Sequence, residues 1–139
     1  MHPGDPDDLN GAGGDILERV RAFFEKKTTE AEQHGVNKNR LCFDPGIGFG
    51  KTNEENFALI ANPEKIRVPG TALLMAASRK RVIGAVCGNP PFEDRMAGTV
   101  AAHTASVLFG ADMVRAHDTF ETVQAARVED AIKQFRKGV

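Results

Sequence analysis

Cysteine is scarce in this chain: Cys42 and Cys87 are the only two among 139 residues. One falls in an expected strand and the other in an expected loop, far apart, which gives neither a disulfide framework nor a metal-ligand spacing and fits a reducing cytoplasm. Charge of one sign is missing too. A formal net charge of -1 provides no general attraction to nucleic acid or to an acidic membrane, so any positive site has to be local. Long apolar runs are absent. The longest clean one, residues 72–77, is far short of a bilayer span. The opening Met1-His2-Pro3-Gly4-Asp5 has neither the basic region nor the apolar core of a secretion signal. These absences predict a soluble, cytoplasmic protein without membrane or nucleic-acid partners, and no internal repeat is visible.

What is present is enough apolar material, 41% of the chain, for one domain of ordinary size across residues 1–139. Over residues 15–34, Ile16, Val20, Phe23, Phe24 and Ala31 recur with charge between them. That period predicts an amphipathic helix, with Asp15 as N-cap and Gly35 just past its end. Thr52-Asn53-Glu54-Glu55 has the pattern of a capping box and starts a helix that Asn62-Pro63 stops. Further helices are expected over 80–86, 93–108 and 119–135, the last with Val123, Ala126, Val128, Ala131, Ile132 and Phe135 available for burial. Strands are expected at 40–43, 71–77 and 112–116. Crossovers that contain helices separate them, which is the spacing of β-α units in a parallel sheet.

Each strand runs into a polar cluster. Phe43 to Thr52 reads F-D-P-G-I-G-F-G-K-T, the second strand ends in Ser78-Arg79-Lys80-Arg81, and the third in Arg115-Ala116-His117-Asp118. In open α/β sheets and in eight-stranded barrels, ligands gather beyond the carboxyl ends of the strands, so the three clusters point to one pocket. The glycine-rich stretch is not a phosphate loop, because Gly46 and Gly50 enclose three residues where that motif needs four. Nor is it a dinucleotide fingerprint, which would require glycine where Lys51 stands. Asp44 before Pro45 either begins a turn or offers a carboxylate to the paired N–H groups of a heterocycle. Arg79 and Lys80 either form a solvated charged face or, because two cations oppose the dipole at a helix N-terminus, sit beside an anion. Arg115 and His117, two apart at a strand end, share a side and can donate to one phosphate group. His34 and His103 read as ordinary helix residues.

Taken together, F-D-P-G-I-G-F-G-K over 43–51, S-R-K-x-x-I-G over 78–84 and V-R-x-H-D over 114–118 closely resemble the dihydropteroate synthase family of the folate pathway. The resemblance extends to Arg95 with the G-T-V-A-A of residues 98–102, and to Glu121-Thr122. Met1-His2 is similar to the Met-His at the end of the family's fifth strand.

The resemblance implies an α/β fold, the carboxyl-terminal half of a TIM (β/α)8 barrel: about four parallel strands, five to eight of the family, with covering helices. It implies condensation of p-aminobenzoate with 6-hydroxymethyl-7,8-dihydropterin diphosphate, release of pyrophosphate, and an assisting magnesium ion whose ligand belongs to the absent first half. Carried over, Asp44 holds the pterin amide edge, Phe49 lines the pocket, and Lys80 bonds the pterin ring. Arg115 lies along that ring and His117 helps bind the diphosphate, so that Lys80, Arg115 and His117 form the catalytic set. Arg81 stands where the family has Ser or a similar small residue near the p-aminobenzoate carboxylate, and can pair with it. Ala76-Ala77 stand where Gly and Thr are usual. A half barrel leaves strand edges and its inner face uncovered, so a homo-oligomer or a separately encoded first half is the expected partner. The alternatives are a pterin-binding methyltransferase-type domain and a non-catalytic half-barrel that binds a ligand or partner.

Overall fold

The computed structural model describes residues 14–136. The first helix, α1 (Ile16–Gln33), begins where Asp15 Oδ1 accepts the Leu17 N–H at 2.9 Å. It ends in the two-bond closure that a left-handed residue permits. Gly35, at φ 78°, donates to Glu32 O at 2.9 Å, and Val36 donates to Ala31 O at 2.9 Å. Its buried face is Ile16, Val20, Phe24 and Thr28, and the Thr28 hydroxyl returns to Phe24 O at 2.8 Å.

A 3-10 turn (Lys38–Arg40) leads into β1 (Cys42–Phe43), followed by α2 (Asn53–Ala61). The capping box is made in both directions: Thr52 Oγ1 accepts the Glu55 N–H at 3.2 Å and Glu55 Oε2 accepts the Thr52 N–H at 2.9 Å. Pro63 stops α2 as expected, and it also opens a further short helix, α3 (Pro63–Ile66), as its first residue, where a missing N–H costs nothing. The chain continues through β2 (Ala72–Met75), α4 (Arg81–Val86), a 3-10 turn (Phe92–Arg95), α5 (Met96–Leu108), β3 (Met113–Val114) and α6 (Thr119–Arg136). The single helix expected over 93–108 is therefore two pieces. At their junction Arg95 (φ -94°, ψ 9°) leaves helical geometry while its guanidinium reaches back to Pro90 O at 3.0 Å and Arg79 O at 3.2 Å.

The three strands are parallel in the order β1-β2-β3, with Cys42 opposite Ala72, Phe43 opposite Leu73, Leu74 opposite Met113 and Met75 opposite Val114. Side chains alternate between faces along a strand. Phe43, Leu73 and Met75 are buried under the helices, with Phe24 of α1 stacked on Phe43 at 4.5 Å between ring centroids. Cys42, Ala72, Leu74 and Met113 occupy the other face, where none of them is buried and Met113 is 42% exposed. The amino end of the sheet is fixed by Asp112, which pairs with Arg67 and accepts the Leu73 N–H at 2.8 Å. The fourth expected strand, at Met1-His2, lies outside the described residues. Two features differ from expectation. The strands are shorter, and Val123, Ala126, Val128, Ala131, Ile132 and Phe135 of α6 are all exposed. The helix turns Thr122, Ala125, Glu129 and the stem of Lys133 inward instead. No helix of the described residues is long and apolar enough to cross a membrane.

Candidate functional site

The loop after β1 is shaped by its own polar groups. Asp44 Oδ1 accepts the Gly46 N–H at 2.8 Å, so the aspartate does begin a turn, and among the described residues its second oxygen makes no hydrogen bond. Lys51 spends its ammonium on the loop itself, donating to Gly46 O at 3.0 Å and Phe49 O at 3.1 Å. Asn56, buried in α2, accepts the Gly48 N–H at 2.7 Å and donates to Thr52 O at 2.7 Å, which ties the loop to the helix behind it. Gly48 sits at φ 81°, and a Cβ there would lie 3.2 Å from Lys80 Cδ.

Lys80 arrives from the end of β2 as the N-cap residue of α4. Its ammonium donates to Ile47 O and lies 4.7 Å from the centroid of the Phe49 ring. Burial pushes its pKa below the usual lysine range. The Asp44 charge opposes that shift, and the charges of Arg115 and Lys51 reinforce it. Arg79, at φ 53°, has an anion beside it after all, but a protein one. It forms a two-pronged pair with Asp118, with Nε 2.9 Å from Oδ2, and lies 5.2 Å from the Phe92 ring centroid. The pairing holds the Asp118 carboxyl below its ordinary range.

At the end of β3, Ser78 Oγ accepts the His117 N–H at 3.0 Å and pairs with its ring Nδ1 at 2.8 Å. The same ring makes an edge contact with Phe92 at 5.3 Å between centroids. Arg115 is exposed; its backbone N–H donates to Met75 O at 3.1 Å, and among the described residues its side chain makes no hydrogen bond or ion pair. Ala76, Ser78, Lys80, Arg115, Ala116 and His117 line a cavity of about 340 Å³. Lys80 also borders a second, open cavity of about 700 Å³ with Phe49, Lys51, Arg79, Arg81, Phe92 and Arg95. The structure thus brings Lys80, Arg115 and His117 to one cavity, and Asp44 acts electrostatically on that lysine. Phe49 and Arg81 fall around the adjoining cavity.

The family model of pterin binding enzymes matches residues 1–117. The chain belongs to the pterin-binding enzyme family. Sequence relatives include dihydropteroate synthases of Synechocystis, 36% identical over 119 residues, and of Clostridium beijerinckii, 37% identical over 133 residues. These alignments cover 86% and 95% of this chain but 41% and 48% of the relatives. Among solved structures, the Burkholderia cenocepacia dihydropteroate synthase complexed with 7,8-dihydropteroate has a TM-score of 0.86 at 35% identity. The Xanthomonas albilineans dihydropteroate synthase with 4-aminobenzoic acid has a TM-score of 0.85 at 37% identity. They are covered to 48% and 47%, against 92% and 96% of this chain. The chain spans about half the length of these relatives, and its fold is half of their barrel.

Within this pterin-binding fold, the sequence did not reveal Asn56, Ser78, His103 or Asp118 as parts of the site's frame. Asn56 fixes the glycine loop, Ser78 holds His117, and Asp118 occupies Arg79. His103 Nε2 accepts the Ala77 N–H at 3.2 Å. Ser78 and Asp118 had a signal in the sequence, as members of S-R-K-x-x-I-G and V-R-x-H-D, though not for these partners. Asn56 acts through groups four to eight residues away, and His103 through a contact distant in the chain.

Proposed function

We propose that this chain is the carboxyl-terminal half of a dihydropteroate synthase-type barrel. In this reading it takes part in joining p-aminobenzoate to 6-hydroxymethyl-7,8-dihydropterin diphosphate in folate biosynthesis. The observation that carries the reading is the set of donors at one cavity: Lys80, partly desolvated, with Arg115 and His117 beside it, and among the described residues no protein carboxylate paired to Arg115. The ligands of the solved relatives, 7,8-dihydropteroate and 4-aminobenzoic acid, support the choice of substrates.

The chemistry follows from where charge develops. The C–O bond at the pterin hydroxymethyl carbon breaks and its electron pair leaves with the diphosphate. The arylamine nitrogen of p-aminobenzoate bonds to that carbon and loses a proton. In this reading Lys80 bonds the pterin ring and Arg115 lies along it, while their charges and the His117 donor stabilise the departing diphosphate, so that the transition state is bound more strongly than the ground state as negative charge grows on that group. Asp44 offers its second oxygen to the N–H groups of the pterin edge. Phe49 lines the pocket, and Arg81 pairs with the acceptor carboxylate. Among the described residues no group of His, Cys, Asp or Glu is arranged to hold a metal ion; in this reading the ligand of an assisting magnesium would come from the complementary half.

The reading places the protein in a reducing cytoplasm, in keeping with a sequence that has only two cysteines, Cys42 and Cys87. It also requires a partner over the inner face that bears Leu74 and Met113: a second copy or a polypeptide carrying the complementary strands. Mixing the chain with such a complement, the pterin diphosphate and p-aminobenzoate should release pyrophosphate only when both substrates are present. Pterin binding by the completed barrel without pyrophosphate release would contradict the synthase reading.

A further inference from the structure

Past the last backbone bonds between β2 and β3, side chains carry the strand register onward. Leu74 stands opposite Met113 and Met75 opposite Val114, and the Arg115 N–H donates to Met75 O at 3.1 Å. Further along, at the same 39-residue offset, Ser78 meets His117 and Arg79 meets Asp118. The backbone on either side of Ser78 is held as well. The Ala77 N–H donates to His103 Nε2 at 3.2 Å, and the Arg79 N–H to Thr99 Oγ1 at 2.8 Å. Ser78 is 5% exposed, so its hydroxyl is fixed in place beneath His117.

That hydroxyl has a single proton to give and two lone pairs with which to accept. One lone pair takes the His117 backbone N–H at 3.0 Å, and the ring Nδ1 lies 2.8 Å away. If Nδ1 carried the ring proton, the oxygen would accept twice and its own proton would meet no protein acceptor among the described residues, which is unfavourable for a buried donor. If Nδ1 is bare, the hydroxyl donates to it and both groups are satisfied. The proton of the neutral ring then sits on Nε2. His117 makes no other side-chain hydrogen bond among the described residues, and it lines the cavity of about 340 Å³ with Lys80 and Arg115. Phe92 stands against the ring at 83° between planes, which opposes a flip that would exchange its edges.

We propose that Ser78 is a positioning residue that fixes neutral His117 as its Nε2–H tautomer, so that the ring offers a hydrogen-bond donor to an anionic group in the cavity without having to be charged. The other tautomer would turn a lone pair toward that anion and repel it. The donor adds direction to the charges of Lys80 and Arg115, which line the same cavity. The tautomer is set by the protein alone. That the anion is the departing diphosphate rests on the synthase reading.

The test uses the unaltered, nitrogen-15-labelled chain at about pH 8, above the ordinary imidazole range. Long-range nitrogen–proton spectra should show the His117 ring protonated at Nε2 with Nδ1 bare. An Nδ1–H ring, or an even mixture, would overturn the proposal. Ser78→Thr keeps the hydroxyl and should retain the Nε2–H form, whereas Ser78→Ala should give a mixture of tautomers; the same tautomer pattern in both variants would contradict the positioning role. Inorganic pyrophosphate probes the donor. It should shift the His117 ring signals of the unaltered chain and bind Ser78→Ala about two- to tenfold more weakly, the factor set by one hydrogen bond of ordinary net strength. Ring signals that ignore pyrophosphate would strike out the donor role. A completed barrel that releases no pyrophosphate would remove the synthase reading and leave the tautomer untouched.

Discussion

Gly48 shows how one residue can serve both backbone and site. Its left-handed φ of 81° and the 3.2 Å separation from Lys80 Cδ leave no comfortable place for a methyl group. Gly48→Ala is therefore expected to lose about 1–3 kcal/mol of stability in urea unfolding, and an unchanged midpoint would show that the loop yields freely. The proposed function gives Asp44 two separable jobs, closing the turn to Gly46 and meeting a pterin edge. Asp44→Asn keeps an acceptor for the Gly46 N–H, so the fold should survive. The variant presents a mixed donor-acceptor edge to a pterin and should bind it about 10- to 100-fold more weakly, the range for hydrogen bonds to charged groups. Calorimetry with a pterin checks this, and equal affinity would remove Asp44 from the site. Residues whose work is local were legible in the sequence: the Asp15 cap, the Thr52 box and the Gly35 closure all formed. Asn56 was not, because an amide in a helix declares nothing until the loop folds back onto it; Ser78 stood in a recognised motif, but its bond to His117, 39 residues on, did not show.

Helix α5 illustrates the same limit at the next scale. It packs closely on its neighbour: a Cβ on Gly98 would fall 2.5 Å from Ile83 Cγ2 of α4. Its start was misjudged because Pro91 and the returning Arg95 side chain hold the preceding turn in 3-10 form. Its buried histidine carries a pH dependence. In the fold His103 stays neutral down to about pH 4, whereas unfolding restores a pKa near 6.5. The unfolded chain therefore binds more protons in this window. The stabilisation is fully present above pH 6.5 and is lost as the pH falls toward 4, and the width of the window bounds the loss at roughly 3 kcal/mol. Urea unfolding at pH 7 and pH 4.5 should show this decrease in the native sequence and a smaller one in His103→Gln. Equal decreases in both would place the titration elsewhere. Helix α6 was legible in extent but not in orientation. Its apolar residues are enough for a buried face, yet the face that meets α5 is the one bearing Thr122, Ala125 and Glu129.

For the whole molecule, the order of strands and helices was readable because each βα unit is encoded in contiguous sequence. The match to half of a longer barrel became quantitative only through the coverage of its relatives. Three short parallel strands with an inner face bearing Leu74 and Met113, and an outward apolar side of α6, leave much apolar surface open among the described residues. Sedimentation of the purified chain should accordingly show a dimer or larger species, and a stable, well-folded monomer would contradict the need for a covering partner. The central claim is that side chains from three strand ends serve one bound molecule. Calorimetric titration with 6-hydroxymethyl-7,8-dihydropterin diphosphate tests it most directly. Lys80→Ala and Arg115→Ala are each predicted to weaken binding by about 1.5–3 kcal/mol, the range for a charge-assisted contact, and unchanged affinity in both variants would contradict it.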